Sequence, residues 1–79
     1  MLDTAIGFVT NIIDETTFQV MVTHIGKHNQ FRYNDIEIVY VSENKTGFSV
    51  DSLTGVKICC SVKYRDIYNR LNAKVQLVN

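Results

Sequence analysis

Between residues 56 and 65 apolar and polar side chains change places at almost every step. Val56, Ile58, Cys60, Val62 and Tyr64 hold one phase, and Lys57, Cys59, Ser61, Lys63 and Arg65 the other. Successive side chains of a strand point to opposite faces, so this pattern predicts a strand with one face in a core. The period of two recurs elsewhere. Leu71, Ala73, Val75 and Leu77 read as inward, with Asn72, Lys74 and Gln76 outward. Phe18, Val20 and Val22 share a face opposite Gln19, Met21 and Thr23. Ile6, Phe8, Thr10 and Ile12 alternate with Gly7, Val9, Asn11 and Ile13, a strand with apolar character on both sides. Residues 31–41 supply a third strand in chain order, bent near Asn34 and Asp35, where the apolar phase shifts.

Turn chemistry separates these runs. Asp14-Glu-Thr-Thr closes the first hairpin, and Gly26-Lys-His-Asn the second, with Gly and Asn suited to positive φ. Residues 42–47 read as a loop. Residues 49–55 have room for one helical turn, with Ser49 as N-cap and Gly55 as its end. Five short strands with polar turns and no proline predict a barrel, which removes the open edges a small sheet would expose. The order of three strands, a short helical turn and two strands is that of an OB-fold. An SH3-like barrel competes, but usually does not place its turn there. The expected fold is therefore all-β with one short helical turn: a five-stranded antiparallel OB-fold barrel, one domain over residues 1–79.

Charge is balanced overall but not along the chain. Residues 56–79 carry five basic side chains against Asp66 alone, whereas residues 1–55 carry three against seven acidic ones. A basic patch on one side of the barrel and a mixed solvated surface are both compatible with this. Cys59 and Cys60 are adjacent and point opposite ways on a strand, so they predict one core thiol and one surface thiol, both reduced. No apolar run approaches the ~20 residues of a spanning helix, and no basic leader precedes an apolar core. No membrane association is expected, and the location read from these features is the cytoplasm.

Three blocks resemble the staphylococcal nuclease (thermonuclease-like) family, whose barrel is an OB-fold. Phe8-Val-Thr-Asn-Ile-Ile-Asp-Glu-Thr-Thr-Phe-Gln-Val is similar to the family's strand–turn–strand with an Asp-Gly-Asp-Thr turn. Phe31-Arg32-Tyr33 resembles the third strand with its functional arginine. Leu53-Thr-Gly-Val-Lys, followed by Asp66-Ile-Tyr68-Asn-Arg70-Leu-Asn-Ala73, resembles the stretch ending in Asp-x-Tyr-Gly-Arg-x-x-Ala. Together the blocks span about residues 6–78. In that family calcium and a glutamate base activate water for attack on a phosphodiester, while two arginines neutralise the phosphate. Carried over, Arg32 and Arg70 are the candidate catalytic arginines. Asp14 and Thr17 match the outer turn residues, which makes Asp14 the candidate metal ligand.

The departures are substantial. The family's second turn aspartate falls on Thr16 and its glycine on Glu15. The Asp-x-Pro-Glu segment has no match, since Glu37 to Tyr40 contains no proline. The long helix that follows is reduced to the short turn, and the two C-terminal helices are missing. A hydroxyl in place of a carboxylate removes a hard, charged ligand from a calcium site, with Glu15 or Glu37 as shifted substitutes. The expectation is a non-catalytic module that binds nucleic acid or another phosphate-bearing ligand through Arg32, Arg70, Lys63, Arg65 and Lys74, without a cofactor. The alternatives are a calcium-dependent phosphodiesterase with a rearranged metal site, and a protein-interaction or assembly domain presenting Met21, Ile25, Val39 and Val78. Against the phosphate reading, Arg32 and Arg70 are equally surface arginines paired with Asp14 or Glu37. His24 and His28 read as solvated turn residues. Tyr33, Tyr40, Tyr64 and Tyr68 offer stacking surfaces, although Tyr64 falls in the core phase and Tyr68 is expected beneath its turn.

Overall fold

The computed structural model describes residues 2–44 and 49–78. Its strands are β1 (Asp3–Asp14), β2 (Thr17–Ile25), β3 (Ile36–Asn44), β4 (Lys57–Arg65) and β5 (Leu71–Leu77), with a 3-10 turn at Val50–Ser52 between β3 and β4. They close into a barrel in the order β1-β2-β3-β5-β4, with β4 returning to β1. The all-β, five-stranded barrel with a short helical turn is thus the fold found. One seam departs from the antiparallel expectation: β3 and β5 run parallel, from Val39 opposite Leu71 to Asn44 opposite Val75. Parity requires it. Strand directions can alternate around a closed ring only when the number of strands is even, so five strands leave one parallel neighbour pair.

Ala5, Val9, Phe18, Val20, Val39, Ile58, Cys60, Val62, Leu71, Ala73 and Val75 form the core, and Val50 and Leu53 join it from the helical turn. Each strand residue of this set is an alternate position of its strand, so burial follows the sequence pattern except where the ladder slips. A bulge between Val62 and Tyr64 shifts β4 against β5. Tyr64, in phase with the core by sequence, is consequently 49% exposed. In β5 the expected faces break at both ends: Asn72 is buried, whereas Leu77 lies on the exposed side. Val39 is completely buried, because it pairs with Phe18 on one side and Leu71 on the other. It therefore leaves the set of exposed apolar residues. Cys60 is in the core and Cys59 half-buried, as the alternation requires.

The largest difference lies before β3. Residues 31–34 are not strand, and the backbone N–H groups of Phe31 and Asn34 go to carboxylates instead of a neighbouring strand. The Asp3 carboxylate accepts the N–H groups of Gln30 and Phe31 at 2.8 and 2.9 Å and the Tyr33 hydroxyl at 2.9 Å. Asn34 donates its N–H to Glu37 Oε2 at 2.8 Å. The Asn29 amide completes the stitching by bonding both the N–H and the carbonyl of Thr4. The expected loop at 42–47 starts later, since β3 runs through Asn44. Its remainder lies outside the described residues.

The helical turn keeps its expected place. Ser49 precedes it without a side-chain cap bond, its carbonyl accepting from the N–H and hydroxyl of Ser52. Gly55 follows at φ 80°, a left-handed conformation that glycine adopts at least cost. Among the described residues no helix is long and apolar enough to cross a membrane.

Candidate phosphate-binding site

The β4–β5 connection carries two arginines with separate partners. Arg65, the last residue of β4, places Nη1 at 3.0 Å and Nη2 at 2.7 Å from the two carboxylate oxygens of Glu37. The same nitrogens also donate to the carbonyls of Asn69, at 3.1 Å, and Arg32, at 2.7 Å. Tyr33 lies beneath, its ring centre 5.5 Å from the guanidinium carbon. Glu37 points inward between exposed Ile36 and half-buried Ile38 and is itself buried, so the pair sits at the barrel's end rather than in bulk water. Burial pushes the Glu37 carboxyl up, but the Arg65 and Asn34 bonds outweigh it and hold the carboxyl below its usual range. The bond to Glu37 in turn raises Arg65. Tyr33 is shifted upward by burial and by its bond to ionised Asp3.

Arg70 is held by the turn itself. Asp66 Oδ1 accepts the N–H groups of Tyr68 and Arg70, and Oδ2 accepts Arg70 Nε at 2.7 Å. Burial raises the Asp66 carboxyl, but these donations prevail and its net shift is downward. Asn69 has φ 63°, the left-handed conformation that brings the Arg70 N–H back to Asp66. This is the position at which the resembling motif carries glycine, and asparagine is among the few other residues that tolerate it. The Arg70 guanidinium then lies between two rings, 4.9 Å from the centre of Tyr40 and 5.1 Å from that of Tyr68. Among the described residues, its terminal nitrogens make no hydrogen bond. Tyr68 is not tucked beneath the turn: it is 72% exposed.

The expected site residues therefore divide. Arg65 bridges the carbonyls of Arg32 and Asn69, which brings the Arg32 and Arg70 segments to the same end of the barrel. Arg32 is exposed, and its guanidinium makes no ion pair among the described residues. Lys63 is exposed on β4, while Lys74 is half-buried on β5 opposite Ser61. Neither Asp14 nor Glu37 pairs with Arg32 or Arg70; the partners are Arg65 for Glu37 and Asp66 for Arg70. Sequence reasoning passed over Asp66 and Tyr40 as the clamp on Arg70. The four-residue spacing of Asp66 and Arg70 was the available signal for the first, and the outward phase of Tyr40 for the second.

Asp14 is exposed, and Oδ1 accepts the Thr16 N–H at 2.9 Å and the Thr16 hydroxyl at 3.2 Å. The Thr16 backbone donation is the main reason its carboxyl is lowered. These contacts close the β1–β2 turn. Thr17, next in sequence, has a buried hydroxyl without a hydrogen-bond partner among the described residues. Among the described residues no three carboxylate, histidine or cysteine side chains converge. Glu37, one of the two shifted substitutes for the missing ligand, is committed to Arg65.

Fold and site together define a small closed β-barrel with a tyrosine-flanked arginine at one end. No protein-family model matches the chain, and neither a curated protein nor a solved structure is similar enough to count as a relative.

Proposed function

We propose that the chain is an OB-like, non-catalytic binding module of nuclease-like ancestry that takes a phosphate-bearing ligand, single-stranded nucleic acid, at the β4–β5 corner. The observation that carries this reading is the Arg70 guanidinium stacked between Tyr40 and Tyr68 with its terminal nitrogens unbonded among the described residues. A guanidinium fork suits phosphate oxygens, and an exposed tyrosine beside it offers a face for a base. The strand order and the position of the helical turn support the OB-like assignment. Asp66 neutralises Arg70 locally, so affinity needs further cations, supplied by Arg32 and Lys63. Arg65 acts as a positioning residue, because Glu37 and two carbonyls occupy its fork.

Titration of single-stranded DNA and RNA at several salt concentrations tests the reading. Three phosphate contacts predict a slope of about −2 in log K against log salt. Arg70→Ala should weaken binding about tenfold or more, with Arg70→Lys intermediate, as charge without a fork requires. Tyr68→Ala should remove about 1–3 kcal/mol of stacking. Absence of binding at low salt, or binding indifferent to Arg70→Ala, overturns the assignment. Calcium-dependent, chelator-sensitive cleavage would overturn its non-catalytic part.

A further inference from the structure

On the barrel's outer surface the registers of three seams line up one row of side chains. Phe8 of β1 stands opposite Lys57 of β4 on one side and Met21 of β2 on the other. Met21 stands opposite Ile36 of β3. Phe8, Met21 and Ile36 are 38, 43 and 46% exposed, and the Lys57 ammonium lies 6.0 Å from the Phe8 ring centre. Ile6 and Ile38, half-buried, share the outward phase of Phe8 and Ile36 on their strands. Three inter-strand gaps give the row a length of about 14 Å. Barrel strands tilt, so a row perpendicular to them climbs along the axis and stays on one side. Single exposed apolar residues are ordinary, but a contiguous set across three strands marks a contact surface.

The charges at its two ends choose the occupant. Lys57 closes the row on β4, and exposed Asp35, next to Ile36, closes it at β3. The centre, Phe8 and Met21, is uncharged. A two-fold axis through that centre exchanges the ends, setting each Lys57 against the other copy's Asp35 and the two apolar centres against each other. Such a surface is complementary to itself, which is the condition for an isologous contact. We propose that this outer face of β1, β2 and β3 is a homodimer interface between two copies of the chain. A standard interface covers about 800 Å² per partner, which fits within the barrel's total exposed area of 4941 Å². Tyr40 lies four residues beyond Ile36, about 13 Å along the strand, so the Arg70 corner stays open in the dimer. The inference does not depend on what that corner binds.

Sedimentation equilibrium from about 10 µM to about 1 mM, a span that reveals even a weak dimer, reads the outcome. The expected result is a monomer–dimer equilibrium. Met21→Glu, which sets two carboxylates at the axis, should weaken it about a hundredfold, with an unchanged circular dichroism spectrum and an unchanged urea midpoint read at a dilution where the chain is monomeric. Lys57→Glu alone and Asp35→Lys alone should each weaken it about tenfold, and the double exchange should restore it, since it rebuilds the pair with reversed sign. A monomeric mass throughout overturns the proposal, as does a dimer untouched by Met21→Glu. Failure of the double exchange to restore association overturns the two-fold arrangement.

Discussion

Arg65 gives both of its terminal nitrogens to Glu37 and both again to backbone carbonyls, and only 4% of the Glu37 side chain is exposed. Removing the cation leaves that carboxylate desolvated, with Asn34 as its remaining donor among the described residues. Arg65→Met should therefore cost about 3–5 kcal/mol in urea denaturation. The double variant Arg65→Met/Glu37→Gln should cost clearly less than the sum of the single changes, because the stranded charge is gone. Asn69 gives a smaller, signed test. At φ 63° a Cβ is unfavourable but tolerated in asparagine, so Asn69→Ala should destabilise by about 1 kcal/mol and Asn69→Gly should not. The sequence made the Asp66–Arg70 motif visible as a spacing. It did not reveal that Arg65, one residue before the motif, takes Glu37. That pairing depends on the parallel β3–β5 seam, which carries the start of β3 alongside the start of β5.

At the level of strands, alternation placed β1, β2, β4 and β5 and most of the core. It failed where the ladder slips, and each failure has a local cause. The bulge at Val62/Tyr64 turns Tyr64 outward, and the carboxylates of Asp3 and Glu37 hold residues 30–34 out of the sheet. Phase counting cannot register an inserted residue, nor a carboxylate that arrives from 28 positions away. The same ladder makes one glycine indispensable. At Gly7, where β1 is irregular against β2, an added Cβ would fall on the Met21 carbonyl, a backbone group that cannot swing aside. Gly7→Ala should lower stability by about 1–3 kcal/mol, read from the urea midpoint. It should also disturb the outer row through Met21, so the variant is expected to lose dimer as well as stability.

For the molecule as a whole, three carboxylates tie the ends of the barrel together: Asp3, Glu37 and Asp66. Burial raises each of them, hydrogen bonding outweighs it, and each is held below its ordinary value of 3.8 or 4.5. Groups lowered on folding contribute their full stability above the unfolded values and lose it as pH falls through the folded ones. The urea midpoint should hold as pH decreases toward 5 and drop below about pH 4. Asp3→Asn should flatten part of that decline, because an amide still accepts one bond but no longer titrates. An acid limb that Asp3→Asn leaves unchanged would remove Asp3 from the account.

The position of β5 between β3 and β4 also sets an order of assembly. During synthesis β1, β2 and β3 can pair as they emerge from the ribosome, and β4 can join the far edge of β1. The sheet then waits with two open edges, those of β3 and β4, until Leu71–Leu77 emerges and fills both at once. The barrel's fifth strand is its keystone. Until it arrives, the nascent chain displays the unpaired edges that the finished barrel conceals, and its hazard is concentrated in the interval between the emergence of β4 and that of β5.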